Sequence, residues 1–92
     1  MRVVYLRSTT PDLKWLRLYY VKVFPEGHKN ALSQLKATEA LLSDNPLIGR
    51  LYAGDEIRIL NLPRTPFAFL YRIKEDRIEI IRVIDHRSGR QD

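Results

Sequence analysis

RTPFAFLYRIKEDRIEIIRVIDHR, residues 64–87, decides how this 92-residue chain folds. Phe67, Phe69, Tyr71 and Ile73 alternate with Ala68, Leu70 and Arg72, the period-two pattern of a β-strand. Lys74-Glu75-Asp76-Arg77 reads as a polar turn, and Ile78 to Ile84 as a second strand rich in β-branched residues. Ile78, Ile80 and Ile84 should point one way, with Ile81 and Val83 the other. A strand apolar on both faces is expected inside its sheet and covered on both sides. Arg82, His86 and Arg87 would then be held on a rigid support at the end of that strand.

Working outward, Glu56 to Leu62 is a further strand, with Ile57 and Ile59 on one face and Arg58, Leu60 and Leu62 on the other. Pro63-Arg64-Thr65-Pro66 turns it into the hairpin, and Leu47 to Asp55 reads as a loop. At the start of the chain, Arg2 to Arg7 is a short strand. Thr10-Pro11-Asp12 begins a helix, with Thr10 as N-cap, proline at the first helical position and an acid in the first turn. The helix should run to about Phe24, ending at Pro25-Glu26-Gly27. Leu13, Leu16, Tyr20, Val23 and Phe24 form its core stripe. Trp15, Leu18 and Lys22 fall opposite, where Trp15 either packs under another element or contributes to an exposed partner-binding patch.

A second helix is expected from His28 to Ser43, its core face carrying Ala31, Leu35, Thr38 and Leu42, with Asp44-Asn45-Pro46 ending it. The short link makes the two helices an antiparallel hairpin. The expected architecture is α+β, in the order β-α-α-β-β-β, with the hairpin packed on one face of a small, mainly antiparallel sheet. Residues 1–92 form one domain, and 88–92 should fray, having nothing to bury. No third helix remains to cover the second sheet face.

Composition narrows the chemistry. With no cysteine, neither a disulfide framework nor a thiolate zinc site is possible. His28 and His86 lie far apart and do not suggest a metal, and no cofactor motif is present. The N-terminus lacks a signal peptide or membrane span, so a soluble, cytoplasmic protein is expected. The net charge of +5 is spread over the chain: seven basic and four acidic residues precede Arg50, nine and seven lie from it onward. Such a balance suits nucleic acid or an acidic protein. Arg58, Arg72 and Arg82 on neighbouring strands, with His86-Arg87 beyond, could bind phosphate, and His86 could move a proton near neutral pH. Alternatively, these arginines pair with Glu56, Glu79, Asp76 and Asp85 across strands.

Several segments, in order and spacing, are similar to the RelE/ParE superfamily of type II toxin–antitoxin toxins. They are Asp12-Leu13 and Tyr19-Tyr20, then Asn45-Pro46-Leu47-Ile48-Gly49-Arg50 and Ile57-Arg58-Ile59-Leu60. Arg64-Thr65-Pro66-Phe67 with Tyr71-Arg72 come next, and last Ile78 to Ile84 with Asp85-His86-Arg87. The resemblance implies a growth-inhibiting toxin neutralised by a small acidic antitoxin with a DNA-binding N-terminus. RelE-like members cleave mRNA on the ribosome, whereas ParE-like members poison DNA gyrase without nuclease residues. Where RelE-like nucleases generally carry a basic residue this chain has Ala68, and nothing aromatic comes after Tyr71. His86 does match a catalytic position. The resemblance therefore implies the ParE-like branch, with a ribosome-dependent mRNA endonuclease, using His86, Arg82 and Arg87, as the alternative. Arg58, Arg72, Arg82, His86 and Arg87 are the expected target-binding set. Trp15, Leu18, Lys22, Leu60, Leu62 and Arg72 are the expected antitoxin-binding set.

Overall fold

The computed structural model describes residues 1–87; the expected fraying of 88–92 lies outside the described residues. Among these, five strands and two helices succeed one another as β1 (Arg2–Tyr5), α1 (Thr10–Leu18), α2 (His28–Asp44), β2 (Arg50–Ala53), β3 (Ile57–Asn61), β4 (Phe67–Ile73) and β5 (Arg77–Asp85). The sheet order is β1-β5-β4-β3-β2. β1 pairs with β5 in parallel, and the other three pairings are antiparallel. The helices lie on one face, giving the expected α+β architecture.

β4 is the middle of the sheet and supplies the centre of the core. Phe67, Phe69 and Tyr71 are fully buried and sit under Tyr19, Tyr20 and Leu42 from the helical side. Aromatic edges meet faces there, Tyr19 against Phe67 at 5.7 Å and Tyr5 against Phe69 at 6.0 Å between ring centroids. Each such side chain contributes about 1.5–3 kcal/mol by leaving water. α2 turns Ala31, Leu35, Thr38 and Leu42 inward, as its spacing predicts.

Four expectations are corrected, each for a local reason. Leu47 to Asp55 is not all loop, because Arg50–Ala53 pairs with β3 as an edge strand. All four residues are exposed, so no alternation of burial betrays it. On β5, the pairing steps from Leu70↔Arg82 to Tyr71↔Ile80, leaving Ile81 as an extra residue. This bulge reverses the parity beyond it, so Val83 joins Ile78 and Ile80 in the core instead of Ile84. In the first helix, α1 gives way at Tyr19–Val23 to a wider π-helical turn closed by the Phe24 N–H to the Tyr19 carbonyl at 2.9 Å. The extra residue in the turn rotates the residues beyond it. Tyr19 and Tyr20 both reach the core, while Val23 and Phe24 are exposed. Finally, β1 ends at Tyr5, a 3-10 turn spans Arg7–Thr9, and the helix cap is Thr9 rather than Thr10. The Thr9 hydroxyl donates backwards to the Leu6 carbonyl at 2.7 Å instead of capping the helix.

The second sheet face has no helix, yet it is not bare. Cross-strand register places Ile59, Leu70, Ala68, Arg72, Glu79 and Arg82 on it. Ile59, Ala68 and Glu79 are buried. Glu79 accepts from Arg72 Nε at 2.7 Å and from Arg77 Nε at 2.9 Å. The hydrogen bond from Arg72 leads in holding the Glu79 carboxyl below the ordinary glutamate range; burial opposes this, and Arg77 assists. A folded-state pKa below the unfolded one adds stability above the unfolded value, and that stability is lost as pH falls through the folded value. Glu79→Gln is therefore expected to flatten the acid limb of a stability–pH profile measured by urea unfolding. An unchanged acid limb would contradict the role given to this network.

Candidate functional site

The C-terminal end of β5 gathers groups from both ends of the chain. β1 stops beside Ile80, so the Val83 N–H loses a strand partner on that side. Asp12, from the first turn of α1, takes its place. Its Oδ2 accepts from the Val83 N–H at 2.8 Å and from Arg82 Nε at 2.8 Å, while Oδ1 accepts from Arg82 NH2 at 3.0 Å. Two residues on, the Asp85 carboxylate is nearly fully buried and accepts from the Trp15 indole N–H at 2.8 Å. It also accepts from the Arg87 backbone N–H at 2.9 Å and its guanidinium at 3.3 Å. Arg87 then lies 4.3 Å over the Tyr19 ring, a cation–π contact.

Trp15 thus packs beneath another element, the first of the two readings open to it, and is a half-buried part of the core wall. Trp15→Phe is expected to lower unfolding free energy by about 1.5–3 kcal/mol, the size of a hydrogen bond to a charged group. Denaturant titration of the free chain checks this, and an unchanged midpoint would mean that the indole bond contributes nothing.

The Arg/His set is brought near one end of the sheet only in part, and its members are committed to different partners. Arg82 turns to Asp12, Arg87 to Asp85 and Tyr19, and Arg72 to Glu79. Arg58 lies on the helix-facing side, opposite Tyr71, and donates to the Gly49 carbonyl at 2.6 Å. His86 is exposed, its Nε2 3.0 Å from Asn61 Oδ1 and its backbone N–H on the Pro66 carbonyl at 2.9 Å. Among the described residues, no group of three or more His, Cys, Asp or Glu could hold a metal ion.

The other residue set divides as well. Leu62 is buried, and Leu60 opposes Phe69 on the helix-facing side, whereas Arg72 lies on the opposite face. Leu60, Leu62 and Arg72 therefore do not form one surface in this structure. Leu18 and Lys22 remain outside, and with Lys14, Arg17 and Val21 they make a stripe along the outer side of the first helix. Next to it, a groove of about 300 Å³ runs between the helices. Leu13, Leu16, Leu32 and Leu35 line it, with Arg17 and His28 among its polar members. At one end the half-buried Tyr5 hydroxyl donates to Glu39. Burial first, and then this bond to a carboxylate, hold the Tyr5 phenol well above its ordinary pKa. Periodicity does not reveal the groove, because its walls are core-facing positions left uncovered between the helices. Leu32, an exposed leucine beside the core stripe of α2, is the signal of it in the sequence.

Residues 3–89 match the family described as ParE toxin of type II toxin-antitoxin system, parDE. The chain belongs to the ParE toxin family. The fold agrees: a solved structure, the chromosomal ParDE TA system from P. aeruginosa, is similar at a TM-score of 0.72 and 27% identity. That similarity covers 92% of this chain and 95% of the other. No curated protein sequence is significantly similar. In this ParE-family chain the segments that suggested the family occupy structural positions: Asp12 fastens α1 to β5, and Pro46 to Gly49 is fastened to Tyr71. No helix among the described residues is long and apolar enough to cross a membrane.

Proposed function

We propose that this ParE-family toxin arrests growth by binding and poisoning DNA gyrase, and that a cognate acidic antitoxin neutralises it. The observation carrying the choice of gyrase over mRNA cleavage is that the three groups a nuclease would need are each committed to a different partner. Cleavage at a 2′-hydroxyl requires a proton acceptor, a phosphate clamp and a proton donor converging on one phosphate. His86 is held on Asn61, Arg82 is forked onto Asp12, and Arg87 is drawn across the sheet end onto Tyr19. A binder needs only complementary shape and charge and makes no demand that these groups converge.

For the antitoxin, the outer stripe of the first helix and the adjoining groove are the surface that fits. Lys14, Arg17 and Lys22 surround Leu18 and Val21, so an amphipathic segment with leucines and acids would meet both kinds of group. Arg72 can contribute only to a segment that also crosses the far sheet face. Expression of this chain alone is expected to stop bacterial growth, and co-expression of a neighbouring acidic reading frame to restore it. Leu18→Asp combined with Lys22→Glu should abolish rescue while leaving toxicity. Normal growth on strong expression of folded chain would overturn the toxin reading, and full rescue of the double variant would place the antitoxin elsewhere.

A further inference from the structure

A second surface, remote from the groove, is built on the loop before β2. The Tyr71 hydroxyl, fully buried, donates to the Pro46 carbonyl at 2.7 Å and accepts from the Gly49 N–H at 2.8 Å. Arg58 grips the Gly49 carbonyl at 2.6 Å. A loop held this firmly from beneath nonetheless presents Leu47, 68% exposed, and Ile48 to solvent. β2 continues the surface with Leu51 and Tyr52, each about half exposed.

β2 is also an edge strand, paired among the described residues with β3 alone. Edges are ordinarily blunted with charge or proline along their middle, but the middle here is Leu51-Tyr52. The charges stand at its two ends, and they are opposite. Arg50 opens the strand and Asp55 lies just past it, both exposed and neither in an ion pair among the described residues. Asp44 and Glu56 are nearby in the chain, so the segment lacks the basic surplus of the α1 stripe and offers little to an acidic antitoxin. A strand with opposite charges at its ends is complementary to itself when two copies run antiparallel about a two-fold axis.

We propose that loop 45–49 and β2 form a homodimer interface in which a second copy of this chain pairs β2 against β2. In the register that centres the axis between Leu51 and Tyr52, Leu51 of each copy opposes Tyr52 of the other. Arg50 then opposes Ala53 of the second copy and faces the turn that follows it, where the exposed Asp55 of that copy is its ion-pair partner. The two ion pairs are related by symmetry, and Leu47 and Ile48 extend the apolar strip on either side. Tyr52 opposes no residue of β3, where the ladder is irregular, so the new ladder is short. Association rests mainly on the side chains and is of modest, micromolar strength. Dimerisation through this edge is independent of which target the toxin inhibits.

Sedimentation velocity of the free chain from micromolar to millimolar concentration tests it. The wild type is expected to pass from monomer to dimer, and Leu51→Lys to stay monomeric with an unchanged unfolding midpoint. Arg50→Asp and Asp55→Arg should each weaken dimerisation by roughly tenfold, since each introduces two like-charge contacts. The combined Arg50→Asp/Asp55→Arg chain should recover it. A wild type monomeric throughout, a dimer indifferent to Leu51→Lys, or a double variant no tighter than the single ones would overturn the proposal. So would loss of target inhibition in Leu51→Lys from a chain that never dimerises, which would assign the surface to the target.

Discussion

Asp12→Ala is expected to lower the unfolding free energy of the free chain by about 2–4 kcal/mol. The carboxylate is 4% exposed and accepts three hydrogen bonds, two from Arg82 and one from the Val83 N–H. Its loss strands the buried Val83 N–H, which alone costs about 1–3 kcal/mol. The ion pair with Arg82 adds less than a fully buried pair would, because the Arg82 side chain is 32% exposed and partly solvated. Asp12→Asn keeps an acceptor for Val83 and should fall between. For a domain of this size the alanine variant should melt roughly 10–25 °C lower. Urea and thermal unfolding of the three chains check the order; an alanine variant as stable as wild type would mean that α1 is not fastened to β5 through this carboxylate.

Gly49→Ala is the second substitution expected to be costly, at about 2–4 kcal/mol. A Cβ there would stand 2.7 Å from the Tyr71 ring and hydroxyl and 2.8 Å from the Ile59 carbonyl. The penalty is steric and not conformational. Tyr71 lies in the packed centre of the sheet and the Ile59 carbonyl belongs to β3 backbone, so neither yields easily. The loop must move, and with it go the bonds from Tyr71 to Pro46 and from Gly49 to Tyr71. Tyr71→Phe removes the hydroxyl contact, and the bonds that Gly49→Ala would break, but leaves the ring and carbonyl contacts, so the double variant should cost less than the two single effects added together. Strict additivity in a double-mutant cycle would show that the Gly49–Tyr71 contact does not bind the loop to the core.

The parts of this fold that keep a simple period are legible directly in the chain. β4 alternates without interruption, α2 keeps one stripe, and the turn at Lys74 to Asp76 is polar, so their positions and faces can be read. Where one residue is added to the period, parity fails. The Ile81 bulge exchanges Ile84 for Val83, and the π-helical turn after Leu18 exchanges Val23 and Phe24 for Tyr19. Both insertions are stabilised by tertiary pairing and leave no local signature. β2 is invisible because an edge strand exposed on every residue has no burial pattern to display. The arginines and His86 stand out in the sequence as chemically capable groups. Their commitments depend on distant partners, above all Arg82 on Asp12, 70 residues away, which locally looks only like an acid favouring a helix start. Trp15 is ambiguous for the same reason, its partner Asp85 also lying 70 residues away.

Inhibition by binding to gyrase instead of cutting mRNA is tested most directly by His86→Ala beside the wild type. Both chains are added to gyrase supercoiling reactions and, separately, to ribosomes translating an end-labelled message. Both are expected to inhibit supercoiling at concentrations within about threefold of each other, a modest loss for one exposed side chain, and the message should stay intact. Site-specific cutting of the message by wild type that falls about a hundredfold or more in His86→Ala, with supercoiling unaffected by either, would contradict gyrase as the target.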